Sequence, residues 1–295
     1  KTNNSKVINS KNFNGNYIHY GVREHGMAAV MNGLALYGGI IPYGGTFLIF
    51  SDYCKPSIRL SALMGLKVIY VFSHDSIGLG EDGPTHQPIE QLAGLRAIPN
   101  LNVFRPADIN ETFECWELAL KNENTPSAIA LSRQKVPYIN PKNSKENKCE
   151  KGAYVVNLTS HESNVTLVAS GTEVELALKV QDKLKENNIH SKVVSMPCME
   201  LFDKQPEDYR KDILEENSLI ITLEAGSVMS WQKYIKNKYF LMLLPDDLII
   251  NKNCSKSMIK VHKKYQASVM ASMKVKKNNV SRWGIYKIKK KLNKR

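Results

Sequence analysis

The chain has 295 residues, of which 42% are hydrophobic, and this is enough material for about two domains that each bury a core. No apolar run approaches the length of about 18 residues that a transmembrane helix needs, and the polar start of the chain shows no signal peptide. The five cysteines are scattered without a CxxC pair, which argues against a disulfide framework or a zinc site. We therefore expect a cytoplasmic protein.

The positive charge of the chain is concentrated at its end. The 41 basic and 28 acidic residues give a net charge of +13. Residues 251–295 hold 15 of the basic residues and no acidic ones, so the remaining 26 basic residues nearly balance the 28 acidic ones. We interpret 251–295 as a lysine-rich, divergent tail, and we expect neither specific nucleic-acid binding nor membrane binding.

Strand and helix patterns alternate along the first half of the chain. After a weakly structured start, residues 17–20 are a short strand candidate, the apolar spacing in 21–39 predicts a helix, and a glycine-broken strand and a second helix follow in 40–66. Further along, the pattern predicts a strand at 67–71, a helix beginning near Pro88, a strand at 102–104, a helix at 109–120 capped by Asp108, and a strand at 127–131. Because strands separated by helices form parallel sheets, we expect an α/β fold.

Two features of the predicted helices have a structural and a functional interpretation. Glu24 lies at the start of the first helix, where it is either a first-turn acid that favours the helix dipole or a buried acid that donates a proton. Phe47, Phe50 and Tyr53 recur at a spacing of three, which places their rings along one helical face. Such a stripe is either core or a platform for a flat heteroaromatic cofactor.

The loop at residues 72–88, FSHDSIGLGEDGPTHQP, is the densest group of chemically active residues. It joins a predicted buried strand to a helix, and ligands commonly bind at the carboxyl ends of such strands. Its imidazoles and carboxylates belong to His74, His86, Asp75, Glu81 and Asp82. Arg133 also follows a strand, so it either faces the same ligand as His74 or is satisfied by a nearby carboxylate.

A polar linker at residues 140–151 separates this region from a second α/β unit at 152–250. The pattern of the second unit predicts strands at 153–156, 165–169, 191–195 and 219–223. Its segment SGTE, residues 170–173, fits a capping box at the start of an amphipathic helix. We find no catalytic cluster in this unit.

Several segments together resemble one enzyme family. GVREHGM, GGTFLIFSDY, HDSIGLGEDGPTHQP, RPAD, LSRQ, ASGTEVELA, VVSMP and LEAG occur in this order over about residues 15–235, and they resemble transketolase. The resemblance implies two consecutive three-layer α/β/α domains with mostly parallel sheets. These would be a pyrimidine-binding domain at 1–139, N-terminally incomplete, and a Rossmann-like C-terminal domain at 152–250.

The resemblance also implies roles for the residues around the cofactor. Glu24 resembles the glutamate that hydrogen-bonds N1′ of the aminopyrimidine of thiamine diphosphate, where protonation favours the imino form that removes the C2 proton of the thiazolium. Phe47, Phe50 and Tyr53 resemble the aromatic pocket around that pyrimidine. On this view the aromatic stripe holds a cofactor instead of filling the core.

The substrate residues implied by the resemblance lie in and beside the loop. His86 resembles the histidine that handles hydroxyl protons of the donor ketose, and Asp82 resembles the acid that hydrogen-bonds a substrate hydroxyl. His74 and Arg133 resemble the contacts to the substrate phosphate, for which a guanidinium offers a bidentate fork. The implied reaction transfers a two-carbon ketol unit from a ketose phosphate to an aldose phosphate.

The chain departs from the family pattern at both ends. We find no GDG motif, so binding of the diphosphate and of Mg²⁺ or Ca²⁺ is expected only through an N-terminal domain that this chain lacks. The expected partner is a separate N-terminal half or a second copy of the chain, and the resemblance ends after about residue 236. The alternatives are a non-catalytic remnant or dimerisation module, and another thiamine diphosphate enzyme such as deoxyxylulose phosphate synthase.

Overall fold

The computed structural model describes residues 5–139, 146–160, 163–215 and 217–235, with Lys260 and Lys264 beyond them. The chain divides into two compact units, residues 1–245 and 246–295. All the elements below belong to the first unit, and the predicted tail at 251–295 lies outside the described residues apart from the two lysines. Within the described residues, no helix has the length and apolarity needed to cross a bilayer.

The first sheet contains only parallel strand pairs. Its strands are β1 Tyr43–Phe47, β2 Ile69–Ser73, β3 Asn102–Phe104 and β4 Ser127–Leu131, hydrogen-bonded in the order β1-β2-β4-β3. The helices that alternate with them are α1 Glu24–Tyr37, α2 Ser51–Leu63, α3 Gln91–Arg96 and α4 Ile109–Lys121. The parallel order follows from this alternation, because each helix returns the chain to the same end of the sheet.

Apolar spacing decides which helix faces are buried in this half. Met27 and Met31, one turn apart on α1, enter the same core cluster as Ile58 of α2 and Tyr70 of β2. At the start of α4, the side chain of Asp108 accepts a hydrogen bond from the backbone N–H of Glu111 at 2.9 Å, as the sequence predicts for a cap.

The second sheet is mixed. Its strands are β5 Tyr154–Leu158, β6 Val165–Ala169, β7 Ser191–Ser195 and β8 Leu219–Leu223, in the order β5-β7-β6-β8. The strand β5 pairs with β7 antiparallel, and the other pairs are parallel. Its helices are α5 Glu173–Glu186, α6 Met199–Asp203 and α7 Glu207–Leu214. The predicted class, α/β with mostly parallel sheets, is confirmed.

Three local predictions were wrong. No strand forms at 17–20, where Tyr17 makes only an isolated bridge to Val7. The helix expected near Pro88 begins at Gln91, because the Ile89 carbonyl accepts a hydrogen bond from Ser227 instead of joining a helical turn.

The third wrong prediction is the capping box. The helix α5 begins at Glu173 without a side-chain cap, and within the described residues the buried Ser170 hydroxyl has no hydrogen-bond partner. The carboxylate of Glu173 instead contacts Arg105, which belongs to the other sheet. A tertiary ion pair therefore replaces the local capping interaction.

The end of β3 and the residue after it contact the segment that follows β7. An isolated bridge joins Phe104 at the end of β3 to Cys198, and the backbone N–H of Arg105 donates to the Pro197 carbonyl at 2.8 Å. The described part of the expected linker contains a 3₁₀ turn, Lys148–Lys151, in which Cys149 is buried and its backbone N–H donates to Glu114 of α4.

Candidate functional site

The carboxyl ends of three neighbouring strands bring the predicted site residues together. The register of β1, β2 and β4 places Phe47 beside Ser73 and Ser73 beside Leu131. The residues that follow these positions, His74 after β2 and Arg133 after β4, therefore leave the sheet at the same edge. This edge is where an open parallel sheet usually binds its ligand.

Three rings form a continuous stack at this edge, which we call the aromatic row. Phe47 and Phe50 stack with 5.9 Å between ring centroids and 13° between planes, and Phe50 and Tyr53 stack at 5.9 Å and 22°. The expected single helical face is wrong in detail, because Phe47 ends β1, Phe50 lies in a 3₁₀ turn and only Tyr53 lies in α2. The side chain of Tyr53 is exposed, so the row is accessible from solvent.

Two imidazoles lie against the aromatic row. The ring of His74 stacks on Phe47 with centroids 3.7 Å apart, and its Nδ1 lies 2.9 Å from the Ser73 hydroxyl. The ring of His86 meets Phe50 edge-on at 5.5 Å and Phe47 edge-on at 6.4 Å. The structure thus brings both ends of the predicted loop to one surface.

We call residues 74–88 the site loop. Its backbone turns back on itself through hydrogen bonds from Leu79 to Ser76, from Gly83 to Gly80 and from His86 to Gly83. The Gln87 side chain donates to the carbonyls of Ile77 and Gly80, both at 3.4 Å. Gly80 and Gly83 have φ values of 81° and 74°, which favour glycine. These local bonds shape the site loop itself.

Arg133 reaches the site loop through Glu81. Its Nη2 lies 3.1 Å from the Glu81 carboxylate, and the two side chains are 50% and 76% exposed. The alternative in which a carboxylate satisfies Arg133 is therefore what the structure contains. Asp82, next to Glu81, is exposed on the same loop.

Glu24 is the first residue of α1 and is half-buried. The helix α1 packs against α2. Burial raises the pKa of the Cys54 thiol in α2 to about 12, and the charges of Glu24 and Asp52 add to this increase. Cys54 directly follows Tyr53 of the aromatic row. Asp52 is held by the Gln91 side chain, which donates to its Oδ2 at 2.8 Å.

Sequence reasoning missed a buried ion cluster that includes Asp75 of the site loop. The side chain of Arg105 contacts three carboxylates, with Asp75 Oδ2 2.9 Å from its Nε, Glu224 Oε1 3.1 Å from its Nη1, and Glu173 also at Nη1. Their charges raise the pKa of Arg105 despite the opposing effect of burial. A signal was present, because RPAD, SGTE and LEAG each carry one of these charges, but no local pattern joins them.

The sequence models of known families decide the identity of both halves. "Transketolase, pyrimidine binding domain" matches residues 2–138, and "Transketolase-like TK C-terminal domain" matches residues 152–244. The chain belongs to the transketolase family. Residues 2–138 carry the aromatic row and the site loop, and residues 152–244 carry two carboxylates of the ion cluster.

Curated relatives and solved structures agree with this assignment. The transketolase of Sinorhizobium medicae is 55% identical over 235 residues, which cover 79% of this chain and 34% of that protein. The transketolase of Pichia stipitis in complex with sedoheptulose 7-phosphate is 41% identical with a TM-score of 0.77, and the match covers 82% of this chain and 36% of that one. The chain thus spans about a third of the length of these relatives.

A second similar structure carries a different description. It is described as "Split gene transketolase, inactive beta4 tetramer" and is 28% identical, with a TM-score of 0.59. The match covers 72% of this chain and 66% of that chain.

The family implies thiamine diphosphate as cofactor, and the described residues fit one part of it. Stacked rings offer an accessible surface to a flat heteroaromatic ring, and Glu24 begins the helix α1, which packs against α2. Within the residues that the structure describes, no group of three or more His, Cys, Asp or Glu is arranged to hold a metal ion. The described residues therefore fit the flat heteroaromatic part of the cofactor.

Proposed function

We propose that this chain is the C-terminal half of a transketolase, which transfers a two-carbon ketol unit from a ketose phosphate to an aldose phosphate in the pentose phosphate pathway. The observation that carries the proposal is the aromatic row with His74 and His86 packed against it, at the carboxyl edge of a parallel sheet. The assignment to the transketolase family supports it. The proposed domain limits remain 1–139 and 152–250, with 140–151 as linker.

The cofactor contacts that we propose are Glu24, Phe47, Phe50 and Tyr53. Thiamine diphosphate, when bound, supplies the nucleophilic carbon and the electron sink for breaking the bond beside the ketose carbonyl. The rings of the aromatic row bind the pyrimidine by stacking and exclude water from one face of it. The Glu24 carboxyl group hydrogen-bonds the pyrimidine N1′ and shares a proton with it.

The substrate contacts that we propose are His74, Asp82, His86 and Arg133. His86 moves protons at the hydroxyl groups of the sugar, and Asp82 accepts a hydrogen bond from one of them. His74 and Arg133 bind the phosphate, for which Arg133 exchanges its exposed contact with Glu81. An exposed ion pair contributes only about 0–1 kcal/mol, so a phosphate can displace Glu81 at little cost.

A second polypeptide region completes the proposed site. The relatives are about three times as long as this chain, and their remaining length is the natural source of the contacts to the diphosphate and to Mg²⁺ or Ca²⁺. We propose that a separate N-terminal half supplies these contacts, with a second copy of this chain as the other candidate partner. The similar split-gene protein, described as an inactive tetramer of β chains, supports the expectation that this chain alone is inactive. The complex would work in the cytoplasm.

The test is reconstitution with a purified transketolase half that carries the GDG motif. Mixed with thiamine diphosphate, Mg²⁺ and sedoheptulose 7-phosphate as donor, the two halves should transfer the ketol unit to an aldose phosphate. Glu24→Gln should lower the rate by about a hundredfold or more, because the shared proton at N1′ is lost. Glu117→Gln, on the exposed face of α4, is the matched control and should keep the rate.

Two results count against the proposal. A stable complex that loads the cofactor but transfers nothing supports the non-catalytic alternative. A complex that uses pyruvate as donor in place of the ketose phosphate supports the alternative of a deoxyxylulose phosphate synthase.

A further inference from the structure

The ion cluster joins the two halves of the molecule immediately below the site loop. Arg105 and Asp75 belong to the half with the first sheet, whereas Glu173 and Glu224 belong to the half with the second sheet. The side chains of Arg105, Asp75 and Glu224 are 0%, 1% and 2% exposed, and that of Glu173 is 10% exposed. Removal from water strengthens these ion pairs and makes the loss of their single cation, Arg105, costly.

The cluster fixes the first residues of the site loop. His74 has a φ of 59°, a left-handed conformation that costs a non-glycine residue about 1–3 kcal/mol and persists only where the surroundings hold it. Its ring stacks on Phe47, and the next residue, Asp75, is held by Arg105. Arg105 therefore holds the backbone that presents the His74 ring.

The far end of the site loop is held by the same segment of the second half. The backbone N–H of Ser227 donates to the Ile89 carbonyl at 2.7 Å, one residue beyond the loop. Glycine is required beside it, since a Cβ at Gly226 would lie 2.8 Å from that carbonyl oxygen. The residues around LEAG thus reach both ends of the loop.

Glu224 connects these two anchoring points. Its Oε1 accepts from Arg105 Nη1 and, at 3.2 Å, from the backbone N–H of Gly226, while its Oε2 accepts from the Trp231 indole at 2.9 Å. Trp231 is fully buried and anchors the segment in the core of the second half. One carboxylate therefore orients both the Arg105 contact to Asp75 and the turn that holds Ile89.

The charge balance of the cluster indicates a role in geometry more than in stability. One guanidinium faces three buried carboxylates, and burial together with Glu224 raises the pKa of Glu173 even though Arg105 lowers it. Such a group is a poor source of net stability compared with apolar packing. Its value lies in the fixed fork geometry of the arginine, which sets the positions of its partners.

We propose that Arg105, Glu173, Glu224 and the Ser227 backbone form a clamp through which the second half of the chain positions the site loop. Arg105 and Glu224 are positioning residues, and they hold His74 and, through Ile89, the end of the loop that carries His86. The expected effect of the clamp on sugar phosphate binding rests on the proposed function. The role of the clamp in holding the site loop is independent of the proposed function.

Two variants test the clamp on the isolated chain, without cofactor or substrate. Glu224→Gln weakens the contact to Arg105, and Glu215→Gln is its control, because Glu215 pairs with Lys192 inside the second half. Ser227→Pro removes the backbone N–H that holds Ile89, together with the hydroxyl that accepts a hydrogen bond from Met229, and it leaves the four charges of the ion cluster in place. Its φ of −66° suits proline, and Ser227→Ala is the control that keeps the N–H.

The measurement is hydrogen exchange of the loop amides that are bonded inside the loop, those of Leu79, Gly80, Gly83 and His86. Glu224→Gln and Ser227→Pro should each speed their exchange by about tenfold or more, because the loop opens locally when its ends are released. Exchange in β6 and the thermal unfolding midpoints should change little relative to the controls. In the reconstituted enzyme, both variants should raise KM for the ketose phosphate more than they lower kcat.

Three outcomes overturn the clamp: unchanged loop exchange in both folded variants, equal acceleration in Glu215→Gln or Ser227→Ala, or global unfolding of both variants. If Glu224→Gln alone unfolds, Ser227→Pro decides, since it leaves all four charges in place. Faster loop exchange in a protein that never transfers a ketol unit keeps the clamp and rejects the proposed function. Ketol transfer by the reconstituted enzyme, together with unchanged loop exchange in both variants, keeps the proposed function and rejects the clamp.

Discussion

Two arginines follow neighbouring strands of the same parallel sheet, but one is buried and the other is exposed to solvent. Arg105 directly follows β3 and is completely buried among three carboxylates. Arg133 comes two residues after β4 and is half exposed, with the mostly exposed Glu81 as its partner. The two strands pair directly, with Phe104 beside Ile129.

The difference shows how burial decides what an arginine can do. Arg133 loses little when it releases Glu81, because water solvates both ions, so it is available to a phosphate. Arg105 cannot release its carboxylates without leaving charges buried and unpaired, so it is available only for structure. The predictions below test this contrast.

The largest effect should follow Arg105→Met, which leaves Asp75, Glu173 and Glu224 buried without their cation. We expect a loss of about 3–5 kcal/mol in the free energy of unfolding at pH 7, or failure to fold. Urea unfolding measures this loss. If Arg105→Met loses no more free energy of unfolding than Arg133→Ala does, the contrast between a structural and an available arginine is wrong.

A pH effect of similar origin should come from Glu111. Burial raises the pKa of this carboxyl from its ordinary 4.5 to about 7, although Ser195, the Ala107 N–H and Tyr154 donate hydrogen bonds to it. The folded state therefore holds the proton more tightly than the unfolded state, so stability should fall as the pH rises from about 4.5 to about 7. The fall should be about 3 kcal/mol, and it should be complete above that window.

Glu111→Gln should remove most of this slope, because it cannot ionise. Urea unfolding at several pH values between about 4.5 and 8 measures it. Glu117→Gln, exposed on the same helix α4, should keep the wild-type slope. If stability depends on pH with the same slope in Glu111→Gln as in the wild type, the slope does not come from Glu111.

A smaller effect should follow Phe50→Leu in the aromatic row. Phe50 stacks between Phe47 and Tyr53 and meets the edge of the His86 ring, so the variant should lose about 1 kcal/mol of stability. The proton resonances of His86 should shift, because the neighbouring ring current disappears. Phe113→Leu, at an exposed position of α4, should leave His86 unchanged. Equal shifts in both variants would argue against the contact.

The smallest effect on stability should follow Arg133→Ala, within about 0.5 kcal/mol, because the pair with Glu81 is exposed. The effect of this variant on phosphate binding should be larger than its effect on stability. In titrations with inorganic phosphate followed by the His74 resonances, Arg133→Ala should weaken binding, whereas Glu81→Gln should strengthen it by removing the competing carboxylate. Changes in the same direction for both variants would show that Arg133 does not exchange partners.

Much of the fold was predictable because its strands are short apolar runs between polar segments. The predicted limits of β3, β4, β6, β7 and β8 agree with the structure. The start of α3 did not agree, since the Ile89 carbonyl is taken by Ser227 from the distant second half. The failed capping box at Ser170 has the same cause, a tertiary contact that overrides a local preference.

For the candidate site, the sequence predicted a set of residues but not their arrangement. Phe47, Phe50 and Tyr53 do stack, although a strand end and a 3₁₀ turn carry two of them. Their roles, with those of Glu24, Asp82 and the two imidazoles, stay predictions until a bound complex or a reconstituted activity tests them.

By itself, the sequence determined the α/β class and the family and singled out the loop that we propose as the substrate site, because each depends on local patterns of apolar and polar residues. Only the tertiary structure decided which arginine is buried and which is open to solvent. The partners of Arg105 lie 30, 68 and 119 residues away along the chain, and no local pattern encodes contacts of that range. Burial and charge pairing are properties of the folded chain, and they separate a structural arginine from one that can bind a ligand.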